Sequence, residues 1–347
     1  SSPPAVRYND HEAPPPASPV GDVVGAAVAE AAAQLGLRAP VADARLFRAC
    51  TELAEVVPAD GSIGYRLIEF AIQRNGIIEP SPHLLVLRGW VEPPSAMLEQ
   101  LRPQLAGMLG EGASARFGVG VAQRRAEGSG VMVFALQGSE LTTAPIPREV
   151  AAGAAVPIEG TIAAPFHDAK VVVTHADGVT EHVPIAATGR PGGFAATVAC
   201  GATRGRQQIE IAASDAAGAT VLANFPVWCG VLAPTSISLD ADREDAPAAN
   251  ADDAERRLLA SVNRDRATAG LAPLIWDPAV AAVARAYAEE MRRTHVVAHI
   301  SAISGAATDR VRAAGIRTGL VLENVARAYG IGEAHTALMN SPGHRAN

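Results

Sequence analysis

Two histidines and one carboxylate near the end of the chain, His299, Glu323 and His344, are the side chains best placed to do chemistry together. Imidazoles and a carboxylate that converge can move a proton or anchor a polar ligand. Glu323 stands between Leu322 and Asn324-Val325. A carboxylate among apolar neighbours must be paired, hydrogen-bonded or a ligand. Asn324 adds an amide beside it. His344 follows the run Asn340-Ser341-Pro342-Gly343, whose Pro-Gly step turns the chain. Upstream of residue 250 no comparable constellation is present.

Other pairings are weaker. His295 and His299 are spaced to share a helix face if the helix extends that far, a spacing seen in zinc peptidases. Val296 stands where such a motif carries its general-base Glu. His295 reads instead as a solvated helix-end histidine, favourable against the C-terminal dipole. Ser341 beside His344 opens a Pro-Gly turn, so it reads as a turn or cap residue rather than a nucleophile. Glu159 and Glu210 alternate with apolar residues and read as solvated strand positions.

The elements that must position the cluster are helical. Asp252 or Asp253 can cap a helix running to about Ala267, with Leu258, Leu259 and Val262 as its apolar stripe and Gly270 as its stop. Asp277-Pro278 opens a second helix. Val280, Val283, Ala284, Tyr287, Ala288 and Met291 predict its buried face, and Trp276 is expected to plug the core beside its start. Thr308 to Ala314 and Glu333 to Met339 predict two shorter helices.

The rest of the chain reads as four segments. Residues 1–19 form a Pro-rich leader. The start at Ser1 reads as a mature or trimmed terminus, with a secretion signal removed. Residues 20–147 mix helical periods (Val23–Leu35, Val41–Val57, Ile63–Gln73, Ser95–Leu109) with short β-prone runs, which predicts an α+β domain. Residues 148–232 carry short β-prone runs separated by Asp-Gly and Pro-Gly-Gly turns and predict an immunoglobulin-like β-sandwich. Residues 233–250 are an acidic, Pro/Ala-rich linker, and the chemistry-bearing domain spans 251–347.

At 347 residues the chain has room for about two or three domains, and 48% hydrophobic with 19% charged residues describes a folded chain. A net charge of −7 without a basic stripe argues against nucleic acid as a partner. No apolar run is long enough for a transmembrane segment. If the compartment is oxidising, Cys200 and Cys229, at the ends of two predicted strands, are the disulfide pair and Cys50 is left over. The alternative is three reduced, buried thiols.

The order Gly270-Leu271, Pro273-Leu274, Trp276-Asp277, His299, Arg310, Glu323-Asn324-Val325-Ala326 and Ser341-Pro342-Gly343-His344-Arg345-Ala346-Asn347 resembles the CAP superfamily. That group holds the cysteine-rich secretory, antigen 5 and pathogenesis-related proteins, and the likeness is to its bacterial SCP-like branch over residues ~253–347. It implies an α-β-α sandwich, incomplete here, around a cleft with two histidines and two acids, His299, His344 and Glu323 among them. Ser341 takes the place of the second acid, for which Glu333 is a nearby substitute without motif support. The resemblance implies zinc or another divalent cation as a cofactor, held by His299 and His344, and a lipid, small-molecule or protein partner. It also implies a closing strand pair of Gly-Val-Gly-Val type after Asn347, so a truncated product is expected. Phe117–Val121 and Val131–Leu136 look like such a pair, which makes 20–147 a candidate degenerate relative.

Three functional readings follow: a secreted or cell-envelope binding protein that is not an enzyme, a metal-dependent hydrolase of peptidase type, and a purely structural envelope module. The first accords best with the absent second acid and the lack of a nucleophile.

Overall fold

The computed structural model describes residues 7–10, 15, 17–57, 63–89, 94–110, 116–124, 129–238, 247–328 and 330–347. Most of the expected Pro-rich leader, and residues 239–246 of the expected linker, lie outside the described residues. The protein is a multidomain α+β chain with several sheets and, among the described residues, nine helices. It divides into two compact units, Ser1–Ile211 with Val221–Ile237, and Ala212–Thr220 with Ser238–Asn347.

The first unit opens with β1 (Arg7–Tyr8), α1 (Pro19–Gln34), β2 (Val41–Ala42), α2 (Ala44–Val56), α3 (Tyr65–Arg74), β3 (His83–Gly89), α4 (Pro94–Gly110), β4 (Arg116–Arg124) and β5 (Ser129–Gln137). Strands β2, β4, β5 and β3 pair in that order. The middle of β5, Val131–Leu136, is apolar because both of its faces are covered. Met132, Phe134 and Leu136 pack with Val24 and Val28 of α1 and Leu101 and Leu105 of α4. Val131, Val133 and Ala135 pack with Leu46, Cys50 and Leu53 of α2 and Ile72 of α3. The result is a helix–sheet–helix layering.

The period over 41–57 predicts one helix, but α2 starts only at Ala44. Asp43 caps it, accepting from the Arg45 backbone N–H at 2.8 Å, while Val41 and Ala42 pair in parallel with Arg116 and Phe117. Around that cap lies a buried charge network. Arg45 donates to Asp43 (2.6 Å) and to the Asn9 side chain (2.9 Å), and Arg116 bridges Asp43 and Glu79.

Next come β6 (Leu141–Thr143), β7 (Ile146–Pro147), β8 (Glu149–Val150), β9 (Ala155–Ile162), β10 (His167–Thr174), β11 (Thr180–Val183), β12 (Ile185–Ala187), β13 (Gly193–Ala199), β14 (Gly205–Asp215) and β15 (Gly218–Cys229). They form a five-stranded sheet, β11-β10-β14-β15-β8, and a four-stranded one, β12-β13-β9-β6. Alternate residues of β9 and β13 are buried, as expected for strands with one covered face. Glu210, expected in solvent, is only 3% exposed, because β14 is buried on both sides at that point. A disulfide joins Cys200 to Cys229 with Cα atoms 5.7 Å apart, and burial raises the pKa of the free Cys50 thiol.

The second unit carries α5 (Ala251–Thr268), α6 (Pro278–Thr294), the two-stranded ladder β16 (Ile300–Ser301) and β17 (Gly305–Ala306), then α7 (Ala307–Ala313), α8 (Ile331–Met339) and α9 (Pro342–Ala346). Asn250, rather than Asp252 or Asp253, caps α5, accepting from the Asp253 N–H at 2.9 Å. Asp277 caps α6 as its sequence predicts. Arg285 of α6 reaches back to Asp252 and, at 2.6 Å, to Glu255 of α5. Trp276 is half-buried under the Arg256 guanidinium, 4.1 Å from its ring centre, rather than set into a core. Of the predicted buried face of α6, Tyr287 is buried and Val283 and Met291 are half-buried. Val280, Ala284 and Ala288 are exposed because, among the described residues, no sheet lies against them.

Layer spacing in the first unit depends on glycine. A Cβ at Gly120 would lie 2.1 Å from the Thr51 nitrogen and 2.2 Å from the Cys50 carbonyl carbon of α2. Backbone cannot yield there without separating helix from sheet. Gly120→Val is expected to cost about 3 kcal/mol or more by overpacking, seen as an earlier urea transition of the first unit.

Candidate functional site

Glu323 lies in residues 316–328, which form neither helix nor strand, so side-chain bonds must place it. Its Oε1 is 3.0 Å from His299 Nδ1, and its Oε2 accepts from the Arg310 guanidinium. Arg310, on α7, is buried. It donates to the Gly305 carbonyl at 2.5 Å and stacks 3.4 Å from the centre of the Tyr287 ring. Tyr287, the one fully buried side chain of α6, donates its hydroxyl to the Ala298 carbonyl at 2.5 Å, beside His299. The chain Tyr287–Arg310–Glu323–His299 thus ties α6, α7, the ladder and the irregular segment into one polar cluster.

His344 approaches from α9. Its Nδ1 is 2.6 Å from the Ser341 hydroxyl, and Ser341 is buried at the N-terminus of that helix. The expected turn at Ser341-Pro342-Gly343 is therefore a helix start, with Pro342 in the first turn, where its missing N–H costs nothing. The Asn324 amide donates to the His344 carbonyl at 3.0 Å, and the Asn347 amide donates to the Asn324 side-chain oxygen at 2.9 Å. These bonds join the Glu-Asn motif to the His-Arg-Ala-Asn motif. His295 is not part of the set. It caps α6 in a left-handed conformation, φ 58°, so it and His299 do not share a helix face. Glu333 lies in the first turn of α8.

Burial alone would raise the Glu323 carboxyl. The hydrogen bonds from His299 and Arg310, with the charges of both, outweigh it and hold the group below its usual range. Burial, then the charge of neighbouring His299, lowers His344, so its ring favours the neutral form.

The donor set does not fit a divalent metal. Both Glu323 oxygens are taken up by Arg310 and His299, and Ser341 occupies the second acid's place against His344. Among the described residues no three His, Cys, Asp or Glu side chains are grouped to hold an ion.

Arg310 was legible only as one member of the motif order, yet it balances Glu323. The available signal was the rule that a carboxylate beside apolar residues needs a cation. Asn263 was similar. Its amide clamps Leu274 at both backbone groups, 3.1 and 2.7 Å, which fixes the loop before α6.

Two outcomes follow. Glu323→Ala leaves the buried guanidinium uncompensated and is expected to destabilise the second unit by about 3 kcal/mol in urea unfolding. The other concerns pH. Both folded-state values are depressed, so each group's contribution is complete above its unfolded value, 6.5 for His344 and 4.5 for Glu323, and is lost as pH falls below it. The thermal midpoint of the second unit should drop first below pH 6.5 and again below 4.5. In His344→Asn, which retains a partner for Ser341 but cannot titrate, the upper step should disappear.

Residues 259–347 match the model of the CAP family, described as the cysteine-rich secretory protein family. No curated protein sequence matches the chain. Among solved structures there is a likeness to the crystal structure of "Putative membrane anchored protein from Corynebacterium diphtheriae", at 17% identity and a TM-score of 0.19. It covers 34% of this chain and 29% of that one, so less than a third of that protein's length is represented. A likeness this slight carries no argument about fold or activity. The order of the sequence motifs and the family match agree on one assignment: residues 259–347 of this chain are a CAP domain, of the family described as cysteine-rich secretory proteins.

Proposed function

We propose that this is a secreted or cell-envelope CAP-domain protein that binds a ligand at the His299–Glu323–His344 cleft without turning it over. One observation carries the reading: the Glu323 carboxylate, the acid of the Glu-Asn motif, is already neutralised by Arg310 and His299. A carboxylate held low by two cationic or hydrogen-bonding partners is a poor general base, because its protonated form is disfavoured. What the cluster offers instead is a polar surface with the outer nitrogens of two imidazoles. Such groups can accept or donate to a lipid headgroup, a small polar molecule or a protein side chain.

The Cys200–Cys229 disulfide supports an oxidising compartment, where such bonds persist. No helix among the described residues is long and apolar enough to cross a membrane. Residues 20–147 are read as a CAP-like relative without the cleft residues, and 148–232 as an immunoglobulin-like spacer. Their roles in this reading are to hold and present the C-terminal domain.

The test is a turnover assay of the full chain on casein and on p-nitrophenyl acetate, with and without added zinc. The expected result is no hydrolysis above the rate of the His344→Ala variant. Hydrolysis that His344→Ala abolishes would overturn the binding reading in favour of a hydrolase.

A further inference from the structure

His299 follows an irregular run, residues 296–298, and stands just before the two-residue strand β16, so its own stretch of backbone does little to aim its ring. Contacts from elsewhere in the second unit hold it instead. On one side the Tyr287 hydroxyl donates to the Ala298 carbonyl at 2.5 Å. On the other are residues 212–220, which belong to the same compact unit and carry the turn between β14 and β15. The Ala217 carbonyl there accepts from two consecutive backbone N–H groups, that of His299 at 3.1 Å and that of Ile300 at 2.9 Å.

The turn is shaped for this contact. Asp215 Oδ1 accepts from the Ala217 N–H at 2.8 Å, the local bond a short acidic side chain makes with the backbone two positions on. Gly218 follows at φ 109°, a conformation that a residue with a side chain rarely adopts. A Cβ at Gly218 would also lie 2.8 Å from the His299 Cβ, closer than two carbons approach unless one of them moves. Glycine is therefore required twice at this position. The first requirement belongs to the turn itself; the second exists only because His299 is opposite. Residues 212–220 lie outside the CAP domain at 259–347, whose motif order gives them no part in the cleft.

We propose that the Asp215–Gly218 turn is a positioning element for the His299 imidazole. A carboxylate can only accept, so in the 3.0 Å contact with Glu323 Oε1 a neutral His299 ring carries its proton on Nδ1 and presents Nε2 outward as an acceptor. That tautomer is fixed only while the ring stays within hydrogen-bond reach, and a backbone shift of about 1 Å at His299 takes it out of reach. By holding the amides of His299 and of the next residue, the Ala217 carbonyl removes that freedom. The turn thus acts on the ring through the backbone and touches no ligand. Packing for stability alone would leave the ring indifferent to the turn. This role rests on the cleft reading above only in counting His299 as a ligand-facing group, and its test reads the imidazole itself with no ligand added.

The test is NMR on the full chain at about pH 8, above the ordinary histidine range, reading the ring-nitrogen chemical shifts of His299 and the exchange rates of the His299 and Ile300 amides. In the native protein the two ring nitrogens should be well separated, as one fixed tautomer requires, and both amides protected. In Gly218→Val both amides should exchange about tenfold or more faster, and the two ring shifts should move toward each other as the tautomers mix. Ala216→Ser, at the exposed corner of the same turn, should leave both readings at native values. If Gly218→Val does not fold, Asp215→Ala takes its place, with Asp215→Asn, which keeps an acceptor oxygen for the Ala217 N–H, expected to restore them. Faster amide exchange with unmoved ring shifts overturns the proposal, because the turn would then hold backbone alone. So do unchanged amides in the turn variant, ring shifts already merged in the native protein, or an effect of Ala216→Ser as large as that of Gly218→Val.

Discussion

The buried guanidinium of Arg310 is the constraint on which the second unit depends. A charge removed from water must be matched by a partner and by hydrogen bonds, or the fold that buries it loses several kcal/mol. Glu323 supplies the counter-charge, the Gly305 carbonyl a further acceptor and the Tyr287 ring a cation-accepting face. Because these partners come from an irregular segment, a short ladder and a long helix, satisfying one cation fixes the geometry of all three. His299 then receives its orientation second-hand, from the other oxygen of the same carboxylate. Both oxygens of the Glu323 carboxylate are thus engaged in charge balance and hydrogen bonding within the second unit.

The first unit solves a related problem with different material. Its buried cations, Arg45 and Arg116, sit on Asp43 and Glu79 at the point where β2, α2 and β4 meet. There the pairing supports a helix already locked on a sheet through Gly118 and Gly120. In the second unit the electrostatic cluster links α6, α7 and the segment that carries Glu323, while Val280, Ala284 and Ala288 of α6 face no sheet among the described residues.

Much of the local structure was legible because local rules act within a few residues. Asp277-Pro278 starts a helix, Gly270 stops one, and the apolar run within β5 marks a strand. Errors arose where a local pattern had more than one tertiary outcome. Glu210 alternates with apolar residues like a solvated strand position, yet β14 is covered on both sides there. Trp276 has the size of a core residue but lies under Arg256 at the surface. The spacing of His295 and His299 suggested a shared helix face, which the left-handed cap at His295 excludes.

The sequence by itself determined the order of motifs, and with it the family of residues 259–347, since residue identity and spacing survive without any knowledge of packing. It also determined the Asp277 cap and the Gly270 stop, which depend on one residue and the backbone beside it. Only the tertiary structure decided what those motifs are free to do. Whether Glu323 is an open acid or a neutralised one depends on Arg310, thirteen positions away in the chain and brought to it by the fold. Whether an apolar helix face is core or surface depends on what lies opposite, and no periodicity can encode that.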